Sequence, residues 1–407
     1  MLNIEIKGVQ FSNKGAELML TAIVEQLDKA LGDYQITLSP GRLLPYPKRA
    51  KLGAWQKLSL RRGQIDLTGV FAKFPNKLLN FFKRYGIVTE RDIDIILDAS
   101  GFAYGEQWGV KSLAHTAKEI SRFNKQGKKY IFLPQAFGPF EQPKLIQLAS
   151  QIFSQANLVF PRDDNSYQAV IGCHAKLNQC SHIIKSPDFT CLVEPEAFVE
   201  DNENHKIQSA NQKKVCFIPN NKMVSSYNHK EASCDQAQYV DFFVQTGRFY
   251  HQQGWQVVLL NHEGVEDLQL CQQIAQQLSG DESIVIKNGL SATNIKAYIG
   301  SVDAVISSRF HGCVSALTQG IPCLATSWSH KYQMLFSEYG LAENVIDFKM
   351  TENLLINTLD AFNGSLARQK ALSIEHAKIV KQQSRHMWQQ VFSVLSSENI
   401  DNSKSSC

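Results

Sequence analysis

The chain has 407 residues, of which 43% are hydrophobic and 20% charged, and 42 basic against 38 acidic side chains leave it at +4. That length suggests two domains or three, the apolar share supports packed cores, and so mild a charge gives no reason to expect a nucleic-acid partner, though a local basic groove is compatible with it. Nine scattered cysteines without a CxxC pair argue against a disulfide framework and suit a reducing cytosol. The start, Met1–Lys7, lacks the apolar core of a signal peptide, and no segment approaches the ~18 uninterrupted apolar residues of a membrane span. The expectation is a cytoplasmic α/β protein.

Leu2–Gly8 reads as the first strand. Phe11-Ser12-Asn13-Lys14-Gly15-Ala16-Glu17 then turns into a helix whose apolar face runs through Leu18, Leu20, Ile23, Val24 and Leu27. Asn13 and Gly15 at such a turn either let the backbone approach an anion or make a plain tight turn. Tyr34–Leu38 is the second strand. Residues 40–90 are basic and irregular at first (Pro45–Lys51, Arg61-Arg62), then apolar and helical from Phe71 to Phe82, flanked by Lys73, Lys77, Lys83 and Arg84. This region fits a lid over an acceptor, a peripheral surface touching anionic lipid headgroups, or a helix packed on its domain with a solvated basic face; the last is the plainest.

Ile93–Asp98 is a buried strand ending in Ala99-Ser100-Gly101, residues 110–126 form an amphipathic helix, and Lys129–Leu133 is a strand ending in Pro134-Gln135-Ala136-Phe137-Gly138. Helix 141–155, strand 157–160 and the turn Pro161-Arg162-Asp163-Asp164 follow, with Asp163 or Asp164 placed to cap the next helix. Residues 1–193 thus form one domain. The acidic stretch 194–212 reads as a linker. In residues 213–363 the alternation restarts, with strands at 214–218, 255–260, 283–286, 302–306 and 322–325 and helices at 235–253, 264–278, 291–299, 311–319 and 331–339. A long helix at 364–395 and a polar, disordered tail at 396–407 close the chain. Strand and helix alternate in both halves, which predicts two Rossmann-like parallel-sheet domains facing a cleft.

The functional-looking groups fall at strand carboxyl ends, where open α/β sheets bind ligands: Asn13 and Gly15, Ser100 and Gly101, Gln135 and Gly138, Arg162, Asn261 and His262, and Arg309 with His311 in the stretch Ser307-Ser308-Arg309-Phe310-His311-Gly312. Arginine forks onto carboxylate or phosphate, and histidine moves a proton near neutral pH. Against this, His311 opening a helix also reads as a capped surface residue. Cys173-His174 with Cys180 and His182 matches no common zinc spacing. There is no GxxxxGK[ST], no GxGxxG after the first strand and no GxSxG, so neither a dinucleotide cofactor nor an elbow-type hydrolase is expected.

Taken in order, Asn13-Lys14-Gly15-Ala16-Glu17, Asp94–Gly101, Leu133–Phe140, Pro161–Tyr167, Ser186-Pro187-Asp188-Phe189, Leu259-Leu260-Asn261-His262 and Ser307–Gly312 through Pro322 resemble the polysaccharide pyruvyl transferase family. The chain departs from the family's pattern at Ala99-Ser100-Gly101, where a glycine pair is usual, and at Ala16-Glu17, where an aspartate is. The resemblance implies a GT-B-like fold, phosphoenolpyruvate as donor co-substrate bound mainly by the C-terminal domain, a sugar diol of a glycan or glycolipid precursor as acceptor on the N-terminal side, and a pyruvate ketal as product. It implies His311 as general acid, Arg309 as a clamp on the donor, and Arg162 as a second anion ligand. Asn13, Lys14, Gly15, Ser100, Gly101, Gln135, His262 and Ser308 complete the expected substrate-binding set. No metal or cofactor is required, because arginines can hold the charge. A nucleotide-sugar glycosyltransferase of the same shape and a non-catalytic glycan- or anion-binding protein are the alternatives. On the first reading, Arg309→Ala and His311→Ala each abolish turnover and leave thermal stability nearly unchanged.

Overall fold

The computed structural model describes residues 1–62, 65–174, 177, 180–198, 212–224, 236–278, 284–327 and 329–396. The chain forms two compact units. One comprises Met1–Phe11, Met19–Phe189 and the stretch from Gln382 onward; the other comprises Ser12–Leu18 and Thr190–Lys381. The first turn of the helix Lys14–Ala30 therefore belongs with the second unit, and the long helix Leu366–Ser396 is divided after Lys381. Most of the stretch expected as a linker, and all of the expected tail beyond Ser396, lie outside the described residues.

The first unit is built on a seven-stranded parallel sheet in the order Ile87–Val88, Trp55–Lys57, Tyr34–Leu38, Leu2–Lys7, Ile95–Asp98, Lys129–Gln135, Leu158–Pro161. The inner strands are apolar runs because helices cover a parallel sheet on both faces. Ile95, Ile96 and Leu97 are fully buried, as are Ile131, Phe132 and Leu133 beside them. Chain order reverses between Leu2–Lys7 and Ile95–Asp98, whose carboxyl ends nearly touch. A Cβ on Gly8 would lie 2.2 Å from Ser100 Cα, and Gly8 has φ +78°, so both space and backbone require glycine there.

Sequence and structure differ between residues 40 and 90. This is not a loop with one helix: it supplies the two outer strands Trp55–Lys57 and Ile87–Val88, and its helical part is split into Thr68–Phe71 and Asn76–Lys83, the second opening after Pro75. Proline breaks a helix interior but is tolerated before a helix or in its first turn.

The second unit carries a six-stranded parallel sheet in the order Val285–Lys287, Gln256–Leu260, Lys214–Ile218, Ala304–Ser307, Cys323–Thr326, Val345–Ile346. This is the doubly wound order 3-2-1-4-5-6, whose ligand crevice lies where the winding reverses, at the carboxyl ends of the first and fourth strands. Here those strands are Lys214–Ile218 and Ala304–Ser307. The second of them leads straight into Ser308-Arg309-Phe310-His311.

Candidate functional site

The turn after Ala304–Ser307 is fixed by its backbone. Ser308 N donates to Ile218 O at 2.9 Å, and Ser308 O accepts from Asn220 Nδ2 at 2.8 Å and Tyr332 Oη at 2.7 Å. Ser308 Oγ accepts from Tyr239 Oη at 2.6 Å and bonds Thr326 Oγ1 at 2.6 Å, and the residue is 0% exposed. The expectation that Ser308 binds substrate therefore gives way to a packing role, since its hydroxyl is sealed in this network. Ser307 Oγ accepts from Arg309 N and donates to Arg309 O, both at 3.0 Å. This small loop sets Arg309 in an extended conformation as the residue that precedes the helix Phe310–Leu317.

Arg309 does not reach into open space. Its Nε donates to Asp267 Oδ2 at 2.8 Å and Nη2 to Asp267 Oδ1 at 2.6 Å, while Nη1 is held by Glu263. Asp267 Oδ1 also accepts from Asn221 N at 2.9 Å. Burial alone would lower the pKa of Arg309, but Asp267 and Glu263 together raise it. Burial pushes the Asp267 carboxyl up while the facing guanidinium pulls it back, and the bidentate geometry keeps the pair ionised. A fork so engaged by two carboxylates is a scaffold that orders the turn, rather than an unengaged clamp. Removing it would leave Asp267 buried and uncompensated, so the expectation that Arg309→Ala spares stability is corrected.

Glu263 carries the chain of contacts onward. It forms an isolated antiparallel bridge with Asn13. Asn13 Oδ1 accepts from Ala16 N at 3.2 Å, and its carbonyl accepts from Glu17 N at 2.9 Å, which starts the helix Lys14–Ala30. Lys14 pairs with Glu17 at 2.6 Å. Gly15 then lies directly under the imidazole of half-buried His311: a Cβ built on Gly15 would sit 2.2 Å from His311 Nδ1. The other face of the ring's neighbourhood is aromatic. Phe310 stands edge-on to His311 at 5.5 Å, and Lys331 Nζ lies 5.3 Å from the Phe310 ring.

His262, at the carboxyl end of Gln256–Leu260, is 4% exposed. Its pKa is pushed well down, first by burial and then by the positive charges of Arg309, His311 and Lys14. It is therefore a neutral imidazole, and its Nδ1 is buried without a hydrogen-bond partner among the described residues. Lys14, Gly15, His262, Arg309 and His311 thus lie together within the second unit, whereas the sequence alone assigns Lys14 and Gly15 to the N-terminal domain. Glu263 and Asp267, which hold the group together, were missed. Their only sequence signal, acids at the start of a helix, is the same as that of ordinary dipole complementation.

The remaining expected residues, Ser100, Gly101, Gln135 and Arg162, lie in the first unit, and two of them, Ser100 and Gln135, bond Asp98, also missed. Asp98 Oδ1 accepts from Ser100 Oγ at 2.7 Å, Oδ2 accepts from Tyr104 Oη at 2.6 Å and Tyr130 Oη at 3.1 Å, and its carbonyl accepts from Gln135 Nε2 at 3.1 Å. Gln135 Oε1 is buried without a partner among the described residues. Gly101 O accepts from Ala136 N at 2.9 Å, tying two strand ends together. Arg162 is buried and pairs with Asp188 at 3.3 Å, and Asp163 caps the following helix through Ser166 N at 2.7 Å. Beside this edge lies a cavity of about 260 Å³ whose walls include Glu5, Lys7, Gly8, Lys57 and Glu119. Lys57 sits buried at 2.6 Å from Glu5 and 3.2 Å from Glu119; burial would lower its pKa, but its carboxylate neighbours raise it. Among the described residues no group of three or more His, Cys, Asp or Glu could hold a metal ion, and no helix is long and apolar enough to cross a membrane.

Comparison with known proteins identifies the family and the fold. A family model described as polysaccharide pyruvyl transferase matches residues 13–330. Among solved structures, the UDP-GlcNAc 2-epimerase from Neisseria meningitidis bound to UDP-GlcNAc is similar at TM-score 0.57 and 9% identity, covering 97% of this chain and 100% of that one. The UDP-GlcNAc 2-epimerase from Methanocaldococcus jannaschii is similar at 0.52 and 11%, covering 88% and 91%, and the apo structure of OtsA at 0.51 and 10%, covering 98% and 99%. At such identities the likeness shows the fold alone: two parallel-sheet α/β domains of the GT-B kind with a helical C-terminal region, as the sequence implied.

Proposed function

We propose, since the chain belongs to the polysaccharide pyruvyl transferase family, that it moves the enolpyruvyl group of phosphoenolpyruvate onto two hydroxyls of a glycan or glycolipid precursor, forming a pyruvate ketal and releasing phosphate. The observation that carries the reading is the convergence of Lys14, Arg309 and His311 around neutral, buried His262 at the winding reversal of the second sheet. Three cationic or protonatable groups in a largely desolvated crevice suit a small anion bearing a carboxylate and a phosphate.

In this scheme His311 gives a proton to the methylene carbon of the donor, which becomes the methyl group. The adjacent carbon gains oxocarbenium character. One acceptor hydroxyl adds there and its proton restores His311; the carbon–oxygen bond to phosphate then breaks with its electron pair going to the phosphate, and the second hydroxyl adds to the same carbon to close the ketal, its proton leaving on the departing phosphate. Lys14 and the Arg309 scaffold hold the donor's negative charge through these steps. The neutral His262 offers a hydrogen bond without adding further positive charge. The acceptor is assigned to the first unit, where Ser100, Gly101 and Gln135 line the sheet's carboxyl edge and the neighbouring cavity carries carboxylates able to accept hydrogen bonds from sugar hydroxyls. Arg162, already paired with Asp188, is assigned to an anionic group of the bound substrate.

The test is to incubate the protein with phosphoenolpyruvate or nucleotide-sugars and candidate glycans, following phosphate and nucleotide release and product mass. Phosphate release with an acceptor gaining pyruvic acid less one water supports the proposal. Nucleotide release would support the second reading, a sugar transferase or epimerase like the UDP-sugar-binding enzymes that share the fold. Neither release across an acceptor panel would favour a binding protein.

A further inference from the structure

The charge of this protein is not spread evenly. Between Tyr34 and Thr89 there are eleven lysines and arginines and one acid, Asp66. That segment carries +10, so with the whole chain at +4 the rest carries −6. The same segment exposes apolar side chains. On the helix Asn76–Lys83 and the residues after it, Leu78 is 38%, Phe81 52% and Tyr85 69% exposed. Their spacing, i, i+3 and i+7, puts them on one face, and the Phe81 and Tyr85 rings meet at 5.2 Å. The helix does not need that face to fold, because Leu79 is buried and Phe82 half-buried on the other side. Leu67 and Val70, around the preceding helix Thr68–Phe71, are also exposed. Lys73, Lys77 and Arg84 are exposed around this patch, and none of the three enters an ion pair among the described residues, whereas Lys83 reaches Asp92 at 3.7 Å.

We propose that this face docks on an anionic lipid bilayer, the apolar row entering the headgroup boundary while Lys73, Lys77 and Arg84 meet lipid phosphates. A polyanion in solution would account for the cations but not for an exposed apolar row lying among them. A protein partner would account for the row but not for a segment almost empty of acids. A helix of eight residues is about 12 Å long, far too short to span and suited to lying in the interface. The inference is independent of the chemistry proposed above, because it concerns binding without donor or acceptor.

The experiment is flotation of the full chain with vesicles of phosphatidylcholine alone or mixed equally with phosphatidylglycerol. Binding is expected only to the mixed vesicles and is weakened by salt. The variant Lys73→Gln/Lys77→Gln/Arg84→Gln should lower the partition coefficient roughly 100-fold, each basic residue contributing several-fold. The variant Leu78→Ser/Phe81→Ser/Tyr85→Ser should lower it at least about tenfold while keeping the salt dependence. These side chains are exposed, so circular dichroism and the thermal midpoint should stay at the wild-type values; Phe81→Ser alone serves if the triple variant unfolds. The proposal is overturned by absence of binding to either vesicle, by equal binding to both, or by unchanged binding of the serine variant. It is also overturned if sedimentation shows self-association that Phe81→Ser dissolves while vesicles stay bare.

Discussion

Gly15→Ala separates the proposed site from the fold more sharply than removal of any charged group. Gly15 lies in the first turn of the helix Lys14–Ala30, and its φ is not positive, so alanine fits the backbone. In a helix alanine is favoured over glycine by about 0.5–1 kcal/mol. The new methyl, however, would meet His311 Nδ1 at 2.2 Å, Cγ at 2.7 Å and Cε1 at 3.0 Å. Ordinary contact begins near 3.4 Å, so the ring must retreat by more than about 1 Å. An imidazole on two rotatable bonds can do that at small cost to stability. A proton donor displaced by ~1 Å loses on the order of 100-fold in rate, or about 2.7 kcal/mol of transition-state stabilisation. Gly15→Ala should therefore keep or raise the thermal midpoint and lower phosphate release from phosphoenolpyruvate about 100-fold. Added to His311→Ala, it should have little further effect, because the group it displaces is already gone. Full turnover in the single variant would refute the placement of His311, and an equal loss in both backgrounds would show that the methyl acts on something else.

The ion pair behind Arg309 gives the second prediction. Arg309→Ala or Asp267→Asn should cost about 3–5 kcal/mol in urea unfolding, since each leaves a buried group without its partner; the apolar pair Arg309→Met/Asp267→Leu should recover stability but not turnover. His262 predicts a pH dependence. Burial and the cations around it depress its folded-state pKa, so the unfolded chain binds the proton first, and stability contributed above the ordinary value of about 6.5 is lost as pH falls below it, by up to about 1.4 kcal/mol per pH unit. Urea unfolding of wild type and His262→Gln from about pH 5 to 7 checks this, the variant showing the shallower slope; equal slopes would rule His262 out as the group responsible. Asp98→Ala should cost about 2–4 kcal/mol, because the Tyr104, Tyr130 and Ser100 hydroxyls lose a charged acceptor inside the first sheet; a thermal midpoint within a degree or so of wild type would contradict that.

What could be read from the sequence follows from the range of the interactions involved. A strand such as Lys214–Ile218 announces itself because four consecutive buried apolar residues are needed to fill a covered parallel sheet. The two-residue strands Ile87–Val88 and Val345–Ile346 do not, since two residues carry no period and their pairing is decided by the strand already beside them. The same holds at the site. Arg309 and His311 were legible because the turn that carries them lies between a buried strand and a helix, both local patterns. What they touch was not. The glycine that makes room for His311 is separated from it by nearly three hundred residues, and the acids that engage Arg309 look like any helix start. For the acids the sheet does this: once Gln256–Leu260 and Ala304–Ser307 both pair with Lys214–Ile218, the loops leaving them share one edge, whereas Gly15 comes from the start of the helix Lys14–Ala30, outside that sheet. Residue type identified which groups could do chemistry, and topology decided which of them meet. Ser308 shows the consequence. It has the chemistry of a ligand-binding hydroxyl and the position of one in the sequence, yet it points into Tyr239 and Thr326, because one residue past the strand its backbone is still pinned to the core by Ile218, Asn220 and Tyr332.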